Sequence, residues 1–167
     1  MPEEEKLTKQ EWHKKMATEL FNHTWNLIDK GDKRTPDETD EMVHAAHASR
    51  YHWGVLVAAH TPNTGPVNLA RSDWQISRVY ALLKHPAEAL YHAERCLRLC
   101  QTRHIGDLDL AFAYEAMARA YATLSGKPGE VKHRYLVLAK QAAEHIAKDD
   151  DRKYFLSELE TIPSYQD

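Results

Sequence analysis

Two pairs of acidic or histidine side chains, on neighbouring segments of the chain, have the spacing of metal ligands. Glu19 and His23 are four residues apart, so they lie on one face of a helix. His44 and His47 are three residues apart on the next segment, and an antiparallel hairpin would place both pairs at about the same height. Three imidazoles and a carboxylate suit zinc, nickel or iron. One hypothesis is therefore a divalent metal site at Glu19, His23, His44 and His47.

The same residues have a second interpretation, which needs no metal. Buried histidines commonly hydrogen-bond to neighbouring side chains or to water, and His23 and His44 could do so across a hairpin. The chain also lacks the HExxH motif that supplies two zinc ligands and a general base on one helix. Both interpretations stay open, and no cofactor other than this divalent metal is predicted.

A second candidate site combines two arginines with a tryptophan. Arg71, Trp74 and Arg78 lie at i, i+3 and i+7 on one helix, opposite its apolar face. Guanidinium groups bind carboxylates or phosphates through paired hydrogen bonds, an indole offers a flat apolar surface, and both residue types dominate binding interfaces. The three residues are therefore predicted to contact a ligand or partner. In the alternative, Trp74 packs against the first or second helix while the arginines pair with acids such as Glu41 or Asp73.

The motifs of several common enzyme classes are missing from the chain. There is no G-x-S-x-G elbow, no P-loop and no G-x-G-x-x-G. Cys96 and Cys100 fall within a predicted helix, away from the helix N-terminus that would lower a thiol pKa. Arg95, Arg98 and Arg103 are interpreted as the solvated face of that helix. A binding protein is therefore predicted, and the alternative is a metal-dependent helical-bundle enzyme that uses the histidines of the first two helices.

Helix signals run through the whole chain. Capping boxes at Thr8 with Glu11 and at Thr35 with Glu38 predict two helix starts, and loops rich in glycine or proline separate the later apolar stripes. No segment shows the sustained period-two alternation of a strand. The prediction is an all-α fold, one domain over residues 1–167, with about seven helices stacked as antiparallel hairpins. The hairpins are predicted at about 9–60, 66–102 and 107–148, with a closing helix at about 151–160.

Residues 66–125 resemble the tetratricopeptide repeat. That repeat has a large residue followed by a small one, an aromatic residue three positions later, and small residues on the second helix. The matching residues here are Ile76, Ser77, Tyr80, Ala89, Ala93 and Cys96 in one hairpin, and Met117, Ala118 and Tyr121 in the next. The loop at residues 125–129 is longer than the family's, which stretches the period. The resemblance implies stacked hairpins with a concave groove, which in this chain is predicted to hold a protein segment or an anionic ligand.

The composition limits the classes of partner that this protein is expected to bind. The 167 residues are 43% hydrophobic and 28% charged, with a formal net charge of −3, so no basic field for nucleic acid is expected. No apolar run approaches the length of a membrane span, and the acidic start lacks the apolar core of a signal peptide. Two cysteines form no disulfide framework. The expectation is a cytoplasmic protein that binds a protein, a peptide or a second copy of itself, and neither nucleic acid nor membrane.

Overall fold

Local signals in the sequence set the helix starts. In the computed structural model, which describes residues 6–124 and 129–163, both predicted capping boxes form. The Thr8 hydroxyl accepts a hydrogen bond from the Glu11 backbone N–H at 3.2 Å, and the Glu11 carboxylate accepts one from the Thr8 N–H at 2.8 Å. Thr35 and Glu38 repeat this arrangement at 3.2 and 3.0 Å. These bonds satisfy backbone donors that a helix start otherwise leaves unpaired.

Seven α-helices are present in the described part of the chain, so the predicted fold class is confirmed. They are α1 (Lys9–Asp29), α2 (Pro36–Ala58), α3 (Pro66–Leu82), α4 (Pro86–Thr102), α5 (Asp107–Ala122), α6 (Gly129–Ala143) and α7 (Asp149–Glu160). Consecutive helices pack antiparallel as hairpins, α1 with α2, α3 with α4 and α5 with α6. Contacts of α3 with α5 bring the first helices of the second and third pairs side by side, and α7 contacts α5 and α6.

Alanine and serine side chains allow the central helices to approach closely. Ala89 and Ala93 are fully buried, and the buried Ser77 hydroxyl donates a hydrogen bond across the α3–α4 hairpin to the Ala89 carbonyl at 2.8 Å. A second apolar cluster joins α5, α6 and α7 around Phe155 and Leu159, which are both fully buried. The core therefore continues along the stack, and α7 closes one end of it.

Two helices end earlier than the sequence predicts. The second helix was expected to reach His60, but it ends at Ala58 because His60 takes a left-handed conformation with φ 51°. The sixth was expected to continue to about residue 148, and it ends at Ala143. Three residues later Ile146 is 2% exposed and belongs to the apolar cluster of α5, α6 and α7. Burial of Ile146 between α6 and α7 accounts for the early turn of the chain.

Within residues 6–124 and 129–163, no helix has both the length and the apolar character that crossing a membrane requires.

Candidate functional site

An apolar pocket of about 240 Å³ lies between α1, α3, α5 and α7. Four aromatic side chains contribute to its wall: Phe21, Trp74, Phe112 and Tyr154. Arg71 and Asp109 also line it, as do three smaller side chains, Ala70, Cys96 and Leu108. A concave apolar site with a few charged groups is the usual form of a binding pocket in proteins.

Contacts behind the pocket hold its aromatic wall in place. The Trp74 ring lies 4.8 Å from the Phe112 ring and 5.2 Å from the Trp25 ring, measured between centroids. Phe112 in turn meets the fully buried Phe155 edge to face at 4.9 Å. Aromatic pairs at these separations are favourable, so the wall exists before any ligand arrives. Tyr154 is half-exposed and borders Phe112 at 6.0 Å.

The charged part of the pocket is a two-point ion pair between α3 and α5. Arg71 Nε donates to Asp109 Oδ1 at 2.7 Å, and Arg71 Nη2 donates to Oδ2 at 2.9 Å. The hydrogen bond to Asp109 raises the pKa of Arg71 despite partial burial of the guanidinium. The Arg71 side chain remains 56% exposed, and its Nη1 group makes no hydrogen bond within the described residues. Arg71 can therefore donate to a ligand while it stays paired with Asp109.

Arg78 lies beneath this wall, inside a buried ion-pair network. Its guanidinium donates to Glu115 on α5 at 3.1 Å and to Glu158 on α7 at 2.9 Å, and the side chain is only 7% exposed. The Trp25 and Trp74 rings each lie 5.9 Å from the guanidinium carbon, within reach of a cation–π contact. Arg78 does not line the pocket, because Glu158 of α7 and Glu115 of α5 hold its guanidinium in the interior.

Glu115 is the fully buried carboxylate of this network. It accepts hydrogen bonds from Arg78, from Arg119 Nε at 2.6 Å and from Trp74 Nε1 at 3.4 Å. Burial alone would raise the pKa of Glu115, but Arg78 and Arg119 outweigh it and hold that pKa below its usual value. The arginines of α3 thus pair with acids as the alternative interpretation expected. The acids are Asp109, Glu115 and Glu158 rather than Glu41 or Asp73.

The structure does not bring the four predicted metal ligands together. His23 Nε2 lies 2.7 Å from a Glu41 carboxylate oxygen, and Glu19 lies 3.8 Å from Lys15. His47 was expected to face α1, but it points to α3, where its Nε2 is 2.9 Å from the Tyr80 hydroxyl. No group of three or more histidine, cysteine or acidic side chains in the described residues has the geometry to hold a metal ion. His23 thus hydrogen-bonds to a neighbouring side chain, while His44 is exposed on α2.

A buried carboxylate lies on the other side of α3, and its true partners were not predicted from the sequence. Asp73 is 1% exposed and accepts from Arg50 and Arg95 at 3.3 Å each, while His92 Nδ1 lies 2.8 Å away. Burial alone would raise the pKa of Asp73. The hydrogen bond from His92 and the two guanidiniums outweigh burial, so the pKa lies below its ordinary value. The available signal was its position between the core residues Ala70 and Ile76 of α3.

Comparison of this chain with protein-family models, with curated proteins and with solved structures finds no match. The packing of the seven described helices as sequential pairs is therefore known from the structure alone. Function has to be argued from the geometry of the sites themselves.

Proposed function

We propose that this protein is a tetratricopeptide-like binding module that holds a protein segment at the aromatic pocket. The observation that carries the proposal is the pocket itself, a preformed concavity beside the first helices of successive pairs. In tetratricopeptide arrays that face is the concave binding face. The buried Ser77, Ala89 and Ala118 support the family resemblance, because they occupy the close-packing positions of the repeat.

The pocket suits a peptide side chain that is aromatic or long and aliphatic. Its wall is formed mainly by rings and by small apolar side chains, which gain contact area when water leaves. Arg71 adds a preference for an acidic group next to that side chain, since its free Nη1 can donate to a carboxylate. The proposed ligand is therefore a segment with an apolar anchor and a neighbouring acid.

Within this proposal Trp74 and Arg71 contact the ligand, and Arg78 acts as a positioning residue. Arg78 lies against the Trp74 ring, and its partner Glu115 accepts from the Trp74 indole N–H at 3.4 Å. Both interactions hold the indole in the orientation that forms the pocket wall. A rigid anchor site binds with a smaller loss of conformational entropy than a mobile one.

Selection of peptides tests the proposal. A random peptide library displayed on phage is selected against the wild-type protein, and the affinity of the enriched peptides is measured by fluorescence anisotropy. We expect the peptides to share an aromatic or aliphatic anchor beside an acid. Tyr154→Ala and Arg71→Gln should each weaken their binding about tenfold, because each removes part of the pocket lining.

Tyr91→Ala is the matched control. Tyr91 is a half-exposed tyrosine on α4, like Tyr154 in exposure, and it does not line the pocket. Its replacement should leave peptide affinity unchanged, and circular dichroism should show the same helicity in all variants. Peptides that bind the Tyr154 and Arg71 variants as tightly as the wild type would contradict the proposal, as would a selection that enriches nothing.

A further inference from the structure

A second pocket, with a different chemistry, lies between α2, α3 and α4. Its volume is about 280 Å³, and four of its lining side chains are arginines: Arg50, Arg95, Arg98 and Arg103. Leu69 and Leu99 supply apolar surface, Thr102 also lines the pocket, and none of the acidic side chains that the structure describes lines it. The whole chain carries a net charge of −3, so this positive charge is local rather than a general property of the surface.

Two of the four guanidiniums are held in position from behind. Arg50 Nε and Arg95 Nε each donate to the buried Asp73 at 3.3 Å. Gly54 leaves space for Arg50, since a Cβ on that glycine would lie 3.2 Å from Arg50 Nη1. Because Arg50 meets Asp73 through Nε, its terminal N–H groups stay available for a ligand. The pocket is therefore organised in the absence of a ligand.

The other two guanidiniums have no counter-charge among residues 6–124 and 129–163. Arg98 and Arg103 are exposed, and neither side chain forms an ion pair or hydrogen bond within the described part of the chain. One carboxylate, Asp73, thus faces two of the four arginines, and the pocket keeps an excess of positive charge. Like charges gathered in one concavity repel each other, and an anion that enters relieves that repulsion.

We propose that this pocket binds a phosphate monoester that carries an apolar group. A phosphate monoester is close to dianionic at neutral pH and accepts paired hydrogen bonds from guanidiniums, so it offsets the excess charge better than a single carboxylate does. Leu69 and Leu99 suit the apolar part of the ester. The pocket is separate from the aromatic pocket, whose lining shares none of these residues.

Isothermal titration calorimetry at constant ionic strength tests the site with three probes: phenyl phosphate, inorganic phosphate and benzoate. We expect phenyl phosphate to bind with one-to-one stoichiometry, inorganic phosphate to bind more weakly and benzoate to bind most weakly. The double variant Arg98→Ala/Arg103→Ala should lose phenyl phosphate affinity by about tenfold or more, since two charge-assisted contacts disappear. Both arginines are exposed, so the variant should keep the wild-type melting temperature.

The control is Arg134→Ala, which removes an exposed arginine on α6 outside the pocket. It should leave phenyl phosphate affinity unchanged. A phosphotyrosyl peptide distinguishes a phosphorylated protein segment from a small molecule as the source of the ester. If the peptide binds, the natural ligand is a phosphorylated protein. If phenyl phosphate binds and the peptide does not, the natural ligand is a small molecule. Three results would each overturn the proposal. They are no saturable binding of phenyl phosphate, equal affinity in the double variant, and benzoate binding as tight as phenyl phosphate.

Discussion

Glu115 is a fully buried carboxylate at the centre of an ion-pair network that joins α3, α5 and α7. It is fully buried between two arginines, and it links α5 to α3 through Arg78. Arg119, its second partner, also donates to the Thr161 hydroxyl at 2.7 Å, just beyond α7. Loss of one member of a buried network leaves the remaining charges without compensation, which is far more unfavourable than loss of an exposed pair.

Replacement of Glu115 by glutamine is expected to lower the free energy of unfolding by about 3–5 kcal/mol. The amide keeps the shape of the side chain, but it no longer neutralises the two buried guanidiniums. Urea denaturation at neutral pH measures the change. Glu19→Gln is the matched control, because Glu19 is exposed and 3.8 Å from Lys15, and it should change the free energy by less than about 1 kcal/mol. Equal effects of the two substitutions would contradict the network's role.

Sequence patterns predict well which side chains share a helix face, and they predict poorly which residues those side chains contact. Arg71, Trp74 and Arg78 lie on one helix face, as their spacing predicts, yet Arg78 does not line the aromatic pocket as the other two do. Arg78 is covered because Glu158, 80 residues later, returns to it on α7. Helical periodicity describes one helix at a time, and it contains no information on which later helix will cover a face. Arg95 was interpreted as solvated for the same reason, but it is partly buried and pairs with Asp73 of α3, whereas Arg98 is exposed as predicted.

At the scale of single elements, α7 is the helix that covers the end of the stack by packing on α5 and α6. Its buried residues Phe155 and Leu159 pack on α5 and α6, while Tyr154 lines the aromatic pocket and Glu158 pairs with Arg78. The same short helix therefore caps the core and completes the candidate site. Terminal elements of helical arrays commonly provide this kind of cover.

Phe155→Ala is expected to destabilise the protein by about 3–5 kcal/mol, because it leaves a cavity at the junction of α5, α6 and α7. Leu156→Ala, one residue further on, removes a side chain that is 40% exposed, and it should change the stability by about 0.5 kcal/mol or less. Urea denaturation of both variants gives the comparison. If the two substitutions have similar effects, α7 is not packed on the core as described.

Helix starts were easier to predict than helix ends, and the reason is physical. A start such as Thr35 with Glu38 is decided by side chains three residues apart, so the signal is contained in the local sequence. The end of α6 at Ala143 depends on Ile146 finding its place beside Phe155, which is a tertiary contact. Order of helices and approximate bounds could therefore be predicted, whereas the exact turn into α7 could not.

At the scale of the whole molecule, two histidines that contact neighbouring helices are expected to make the stability depend on pH. His47 lies between α2 and α3, and His52 lies between α2 and α1, with its Nδ1 2.8 Å from that of His13. Burial, and then the nearby His92, lower the pKa of His47, although Asp73 opposes this change. Burial and then His13 lower the pKa of His52. In both residues the folded state disfavours protonation.

The melting temperature is expected to fall as the pH falls from about 7 towards 5. Since the folded-state pKa of each histidine lies below the unfolded value near 6.5, the unfolded chain binds more protons in this window. Stability is therefore greatest above that value and declines in acid. Thermal melts at constant ionic strength, followed by circular dichroism, should show a smaller pH dependence in His47→Gln/His52→Gln than in the wild type.

His133→Gln provides the comparison for that measurement. His133 is exposed on α6, so its replacement should leave the pH dependence of the melting temperature as it is in the wild type. A double variant whose melting temperature declines as steeply as that of the wild type would refute the role of His47 and His52.

The contact of Trp25 with Trp74 also gives the aromatic pocket an optical property. The centroids of the two indoles are 5.2 Å apart, and the Arg78 guanidinium carbon lies 5.9 Å from each ring, so both chromophores share one charged environment. Only Trp74 of this pair lines the pocket. A molecule that enters the pocket is therefore expected to change the surroundings of Trp74 while Trp25 stays behind the wall, so tryptophan fluorescence should report occupancy.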